Sequence, residues 1–263
     1  MLLLLLPCVL SATERPDAMQ TALWSGFSML NFDYQEFTGN ASTVNREEGL
    51  LPGITAGASL SRGRWFASTE ISAWSGDADY HGPVNTQTRE NITDWNVLAG
   101  RALYRKGKSE VGLFAGFGYH YWERDIQSTA TASGLSETYD WWYGMLGIRG
   151  AYHISPATRL RMDACLTRTV NPEIEVEFAA NYDDVKLGLG EETGSRVRLT
   201  LDHRLNESMR VWLSPWYEFW ALGRSSTQDL TSNGVVAASV YEPRSETENF
   251  GINIGVTWMF GVR

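Results

Sequence analysis

Residues 110–125, EVGLFAGFGYHYWERD, alternate between two kinds of side chain over the whole stretch. One set of alternate positions is apolar or aromatic: Val111, Leu113, Ala115, Phe117, Tyr119 and Tyr121. The other set is glycine-rich and ends in His120, Trp122 and Arg124. A period of two indicates a β-strand, and its length would be roughly 50 Å at about 3.3 Å per residue. An apolar face opposite a small or polar face is typical of a transmembrane β-barrel wall, although a soluble β-sandwich can also contain such a strand.

The same alternation recurs in nine other segments. They are residues 22–37, 51–62, 65–75, 92–104, 138–153, 158–169, 194–205, 209–224 and 246–260. Tight turns such as Arg62-Gly63-Arg64 alternate with long polar connections, among them residues 76–91, 170–193 and 228–244. We therefore predict an all-β, transmembrane, antiparallel up-and-down β-barrel of about ten strands, with long extracellular loops and short periplasmic turns.

Composition and the N-terminus bear on location. The chain has 263 residues and a net charge of -9, which argues against a nucleic-acid partner. Residues 1–18 begin with an apolar run, MLLLLLPCVLSA, that we interpret as a signal peptide or its remnant, and residues 19–263 as one barrel domain. We expect a monomer in the outer membrane of a Gram-negative bacterium. Its expected partners are outer-membrane lipid, lipopolysaccharide, the barrel-assembly machinery and an extracellular ligand.

Aromatic residues gather near both ends of the predicted strands, as they do at the two interfaces of a membrane. The predicted girdle at the loop side contains Phe32, Tyr34, Trp74, Tyr119, Tyr121, Trp122, Trp141, Trp142, Tyr217 and Trp220. The predicted girdle at the turn side contains Trp65, Tyr104, Tyr152, Trp258 and Phe260. A soluble sandwich gives no reason for two such bands.

Charged and polar residues of both signs occupy positions that alternate with the lipid-facing ones. They are Glu70, His120, Arg124, Arg161, Asp163, Arg196, Arg198, Asp202 and Glu218. Buried charges require partners, so we predict a compensated polar network in the lumen. An ion pathway is the alternative, but ten strands enclose a narrow lumen that side chains can fill. The sequence predicts no metal site and no cofactor.

Asp77-Ala78-Asp79-Tyr80 follows the third predicted strand, and its two carboxylates could polarise a water molecule or bind a cation. With the strand order, residues 95–124 and the closing strand, this segment resembles the omptins, ten-stranded outer-membrane proteases. The resemblance implies that this pair would face an Asp-x-His pair on the fourth long loop and activate water with it. That loop here contains Asp183 and Asp184 but no histidine.

Asp77, Asp79, Asp183 and Asp184 are therefore only weak catalytic candidates, and we expect no enzyme activity. The function that we predict is a non-catalytic outer-membrane barrel whose long surface loops serve binding, adhesion or a structural role. The alternatives are an omptin-like hydrolase with an altered active site and a narrow, porin-like channel.

Overall fold

The computed structural model describes residues 19–39, 42–178 and 182–261; the predicted signal peptide lies outside these ranges. No helix among the described residues is long and apolar enough to cross a membrane. The strands are β1 (Gln20–Phe37), β2 (Thr43–Arg62), β3 (Trp65–His81), β4 (Thr86–Lys106), β5 (Ser109–Ile126), β6 (Leu135–His153), β7 (Thr158–Phe178), β8 (Val185–Gly188), β9 (Thr193–Arg204), β10 (Met209–Leu222), β11 (Gln228–Ser232), β12 (Val235–Val240) and β13 (Arg244–Phe260).

Ten of these strands form a closed antiparallel barrel, as predicted. Each pairs with the next along the chain from β1 to β7, and then β7 pairs with β9, β9 with β10, and β10 with β13. The ring closes where β1 pairs with β13, with Phe27 opposite Ile254. Short connections at residues 63–64, 107–108, 154–157 and 205–208 lie at one end, which we call the turn end; the opposite end is the loop end.

The strands extend further towards the loop end than the sequence analysis predicted. The predicted loop at residues 76–91 is wrong, because β3 continues to His81 and β4 begins at Thr86. Alternation persists there, with Ala78 buried and Asp77 and Asp79 exposed on either side of it. The prediction ended each strand where its outward residues ceased to be apolar, whereas the barrel wall continues beyond that point with a polar outer face.

The two longest predicted loops also contain strands. In residues 170–193, β7 continues to Phe178 and the short β8 pairs with its last part. Residues 228–244 contain a separate hairpin of β11 and β12. Its turn is Asn233-Gly234, and both residues have positive φ, 52° and 76°. Asn-Gly is the sequence that a tight hairpin turn favours.

Apolar side chains cover the outside of the barrel between its two ends. Leu113 and Ile254 are exposed on this outer face, where a membrane would supply the missing apolar contacts. Glycines on the inner face make room for aromatic rings. A side chain at Gly118 would overlap the ring of Tyr143, and one at Gly251 would overlap Trp216. The glycine-rich phase of β5 is thus explained by the packing inside the lumen.

Several aromatic residues that we assigned to the loop-side girdle lie inside the barrel instead. The predictions for Phe32, Tyr34, Trp74, Trp122, Trp141 and Trp220 are wrong, since all six are buried. Adjacent residues on a strand point to opposite sides, so Trp141 faces the lumen while Trp142 is exposed on the outer face. Large apolar residues that are exposed on the outside include Trp65, Trp142, Tyr217, Trp258 and Phe260. Tyr119 and Tyr121 are partly exposed on the same outer face.

Candidate functional site

Ion pairs fill the half of the lumen nearer the turn end. Asp202 accepts hydrogen bonds from Arg159 at 2.9 Å and Arg210 at 2.6 Å. Further in, the guanidinium of Arg198 binds both oxygens of Glu70, at 2.8 and 2.7 Å. This is a bidentate ion pair, in which two N–H groups of the guanidinium bind the two oxygens of the carboxylate. The Asp202 pairs join neighbouring strands, whereas the pair of Arg198 on β9 and Glu70 on β3 connects opposite parts of the wall across the lumen.

A second group of ion pairs lies on β6 and β7. Asp163 lies between Arg149, at 2.5 Å, and Arg161, at 3.1 Å. The guanidinium of Arg149 also stacks over the ring of Phe66, 4.3 Å from its centroid. Two cations on one buried carboxylate leave an excess of positive charge on this side, which the aromatic faces partly offset.

The next layer towards the loop end contains an aspartate–histidine pair. Nδ1 of His120 lies 3.3 Å from Oδ2 of Asp94, and the hydroxyl of Tyr143 donates to both Asp94 oxygens at 3.0 and 2.9 Å. Arg196 bridges this aspartate, at 3.3 Å, to Glu218. The imidazole stacks on Trp141 with ring centroids 4.3 Å apart. The predicted lumen network includes His120 but not Asp94 or Tyr143.

This pair does not form an accessible active site. The adjoining cavity, which His120, Trp141, Tyr143 and Trp220 help to line, measures about 10 Å³, enough for about one water molecule. Nε2 of His120 and Nε1 of Trp220 have no protein partner within the described part of the chain. A peptide or sugar could not enter such a space, so the geometry supports a structural role.

The layer nearest the loop end contains one arginine and five buried glutamates, which we call the glutamate layer: Arg124, Glu36, Glu47, Glu90, Glu137 and Glu242. Arg124 donates to Glu47 at 2.8 Å, to Glu36 at 3.1 Å and to Glu137 at 2.6 Å. Glu242 accepts a hydrogen bond from Tyr139 at 3.0 Å, and Glu90 accepts one from Trp122 at 2.5 Å.

The glutamate layer lies beyond the apolar band. On the outer face at this height are charged residues such as Asp77, Arg89 and Asp125, which are paired across β3, β4 and β5. One arginine cannot neutralise five carboxylates, so some of them must retain protons. Burial, only partly offset by the Arg124 charge, raises the pKa of Glu47 to about 8.

Three further glutamates of the layer have pKa values that are shifted in the same direction. Burial raises the pKa of Glu90, of Glu137 and of Glu242. Glu36, Glu47, Glu90 and Glu137 alternate in step with the inward phase of their strands, but three of these four lie in segments that the sequence analysis took for loops. Period-two polar residues such as Asn45 and Glu47 were the signal that could have revealed them.

The four weak catalytic candidates are not brought together. Asp77 and Asp79 face the outside of the wall, where Arg89 Nε lies 3.2 Å from Asp77 and Gln87 donates to Asp79 at 3.4 Å. Asp184 is exposed in the connection before β8. In the described ranges, no hydrogen bond or ion pair joins the first pair of aspartates to the second. No group of three or more His, Cys, Asp or Glu side chains in those ranges could hold a metal ion.

Asp183 caps the turn of the β11–β12 hairpin. Its carboxylate accepts hydrogen bonds from the hydroxyl of Thr231 at 2.6 Å and from the backbone N–H groups of Asn233 and Gly234 at 3.2 and 2.9 Å. These hydrogen bonds lower the pKa of Asp183. Its own N–H donates to the carbonyl of Thr231 at 2.8 Å. The connection after β7 and the connection after β10 are therefore docked on each other.

The comparison with solved structures agrees with this architecture. The outer membrane protease OmpT from Escherichia coli superposes with a TM-score of 0.62 at 10% identity, covering 94% of this chain and 98% of that one. The fold is that of an outer-membrane β-barrel. OprG from Pseudomonas aeruginosa has a TM-score of 0.45 at 9% identity, covering 94% of this chain and 98% of that one. Ail of Yersinia pestis has a TM-score of 0.35 at 7% identity, with 93% and 99% covered.

No protein-family model and no curated protein matches the chain. At 10% identity, the likeness to OmpT is one of fold and assigns no role to any residue. The predicted omptin-like resemblance is confirmed at that level, as is the ten-stranded barrel. The chemistry of the site must be read from this chain's own side chains.

Proposed function

We propose that this protein is a monomeric, non-catalytic barrel in the outer membrane of a Gram-negative bacterium, and that its loop end binds a partner outside the cell. In this orientation the loop end faces the medium and the turn end faces the periplasm. Lipid and lipopolysaccharide surround the apolar band.

The observation that carries the proposal is the docking of the hairpin by Asp183. Four hydrogen bonds fix the hairpin turn and β11 to the neighbouring connection. A surface that is ordered before binding loses less conformational entropy when a partner arrives. An ordered surface of this kind is suited to binding a partner, whereas a loop that contacts only solvent does not need to be held in one conformation.

The hairpin also presents apolar side chains to solvent. Val235 is 69% exposed and Val236 is 59% exposed. Tyr182, which precedes Asp183, and Tyr241, which follows β12, are exposed as well. Exposed apolar residues on an ordered loop are common at protein interaction sites. β12 has no strand partner on its outer edge among the described residues, so an extended segment of a partner could pair with it.

The lumen supports binding rather than transport or hydrolysis. Among the described residues, layers of ion pairs and aromatic rings occupy the lumen, and the cavity beside His120 measures only about 10 Å³. The outward direction of Asp77 and Asp79 separates them from any group inside the barrel. These features favour the binding barrel over a narrow porin and over an omptin-like hydrolase.

Adhesion of whole cells tests the proposal. Cells that display the protein are applied to surfaces coated with extracellular-matrix proteins and to cultured epithelial cells. Residues 228–240 are replaced by a short Gly-Ser turn, and the matched control shortens residues 127–134 at the same end. We expect adhesion to fall only when the hairpin is removed. Equal adhesion by both variants and the parent chain would overturn the proposal.

A further inference from the structure

Most basic residues at the loop end lie beside an acidic side chain, whereas Arg224 lies over the ring of Tyr241 instead. At the loop end, Arg46, Arg89, Arg168, Lys186 and Arg244 each lie within ion-pair distance of an acidic side chain. At the turn end, six exposed basic residues have no acidic partner within the described residues: Arg204 on β9, and five that lie around two neighbouring turns. We call these five the basic patch: Arg62, Arg64, Arg101, Lys106 and Lys108.

The basic patch is built on two neighbouring turns that are held together. Arg105 donates to the carbonyl of Gly63 at 2.7 Å, which links the β4–β5 turn to the β2–β3 turn. The N–H of Ala102 donates to the carbonyl of Arg64 at 2.8 Å, between the same two hairpins. Arg105 is itself neutralised by Glu110 at 2.6 Å. The charges that remain are therefore the outward ones, on a fixed backbone.

Both turns are tight. Gly63 and Gly107 each have a φ of 59°, a conformation that glycine adopts without strain. Each glycine is flanked by two basic residues, in the sequences Arg62-Gly63-Arg64 and Lys106-Gly107-Lys108. Four cations are thus carried by two turns of minimal length, which limits how far they can move apart.

Aromatic and apolar residues border the basic patch on the side of the membrane. The guanidinium of Arg101 lies over the ring of Trp65, 5.2 Å from its centroid. Leu103 and Tyr104 are exposed on the outer face of the same strand end, and Tyr152 on β6 is exposed as well. An indole and a phenol at this height belong at the interface between lipid tails and headgroups.

From this arrangement we propose that the basic patch binds an anionic glycerophospholipid of the leaflet at the turn end. The cations contact the headgroup phosphate, and the acyl chains lie along the apolar wall beside Trp65 and Leu103. The proposal rests on the orientation given under the proposed function, because that orientation places the turn end at the phospholipid leaflet. Clustered Lys and Arg residues near a membrane surface attract anionic lipid headgroups.

Native mass spectrometry of the refolded full chain in detergent tests this inference. The lipids added are phosphatidylglycerol, zwitterionic phosphatidylcholine and purified lipopolysaccharide, each at the same concentration. The test variant combines Arg62→Gln, Arg64→Gln, Lys106→Gln and Lys108→Gln. The control variant combines Arg46→Gln, Arg89→Gln, Arg168→Gln and Lys186→Gln, and so removes four positive charges at the loop end.

We expect the parent chain to retain phosphatidylglycerol in preference to phosphatidylcholine. The test variant should lose about tenfold or more in affinity, while the control variant keeps it. Higher salt should weaken the binding. Equal retention of the two phospholipids, or an equal loss in both variants, overturns the inference. Preference for lipopolysaccharide through the same four residues also overturns it.

The outcome is separable from that of the proposed function. If adhesion does not depend on the hairpin but phosphatidylglycerol still binds, only the proposed function of the loop end is contradicted. Heat-modifiable migration on an unheated gel checks that each variant has folded, so a variant that fails to fold is recognised before lipid is added.

Discussion

Arg124 and Glu47 form a fully buried ion pair in the glutamate layer, in which Nε of Arg124 donates to Oε1 of Glu47 at 2.8 Å. Burial raises the pKa of Glu47 in spite of this cation, and repulsion from the carboxylate of Glu90 raises it further. Thr88 donates to the second oxygen of Glu47 at 3.3 Å, while Oε1 of Glu90 has no hydrogen-bond donor among the described residues.

The barrel should become less stable as pH rises. The folded pKa of Glu47 is about 8, above the ordinary value of a glutamate, so its contribution is complete at acidic pH and is lost as pH rises through about 8. We expect the free energy of unfolding in urea and detergent micelles to fall between about pH 5 and pH 9, by a few kcal/mol. Glu90→Gln keeps the shape and removes one titrating group, so it should flatten this dependence. Glu123→Gln on the exposed face is the control, and an unchanged slope in Glu90→Gln would contradict the prediction.

Removal of Arg124 should be costly, because it leaves several carboxyl groups without their common partner. Arg124→Met should lower the free energy of unfolding by about 3–5 kcal/mol at neutral pH. Arg89→Gln breaks an exposed pair with Asp77 and should cost less than about 1 kcal/mol. The measurement is urea unfolding followed by gel migration. Similar losses in the two variants would contradict the burial of the glutamate layer.

A positive charge on the lipid-facing wall should also destabilise the protein. Leu113→Arg and Ile254→Arg should each cost about 2–4 kcal/mol in lipid vesicles. Glu123→Arg, beyond the apolar band, should be nearly neutral. The inner face is not a tolerant alternative, because Asn253 is buried and accepts hydrogen bonds from Ser28 and Trp216 at 2.7 and 3.0 Å. Equal tolerance at Leu113 and Glu123 would count against a membrane around this band.

Asp183→Ala should release the hairpin and leave the barrel intact. It removes the acceptor for Thr231 and for the two N–H groups of the turn, so β11 and β12 should exchange amide hydrogens faster and be cleaved sooner by added protease. The free energy of unfolding of the barrel should stay within about 0.5 kcal/mol of the parent value. Asp184→Ala, at the exposed neighbouring position, serves as the control. Unchanged protection of the hairpin in Asp183→Ala would argue that other contacts hold it.

The purified, refolded protein should not cleave peptides that contain paired basic residues, with or without lipopolysaccharide. A general base contributes about 10²–10⁴-fold to such a reaction. His81 follows Asp79 by two residues on the same face of β3, but among the described residues the aspartates bind Arg89 and Gln87 and no imidazole. Asp79→Asn should leave the background rate unchanged. Cleavage that disappears in Asp79→Asn would establish the omptin-like alternative.

The sequence predicts the wall of the barrel better than its ends or its interior. The outward residues of β5 can be predicted because every position that faces lipid must be apolar, which makes the apolar residues alternate without a break. Trp141 and Trp142 were both assigned to the outside, because two adjacent aromatic residues do not reveal the phase and β6 has an irregular register with β7 at this point. Asp94 was missed because its partners come from three other strands. The hairpin could have been recognised from Asn233-Gly234.

Because tryptophans lie on both faces of the wall, the intrinsic fluorescence of the protein can report on both its outside and its interior. Trp65, Trp95, Trp142 and Trp258 lie on the outer face, whereas the other tryptophans among the described residues, Trp24, Trp74, Trp122, Trp141, Trp212, Trp216 and Trp220, point into the barrel. Lipids with brominated tails would quench the emission of the first set by direct contact and leave the second set largely fluorescent. Insertion of the wall and closure of the interior can thus be followed as separate signals in one unlabelled sample.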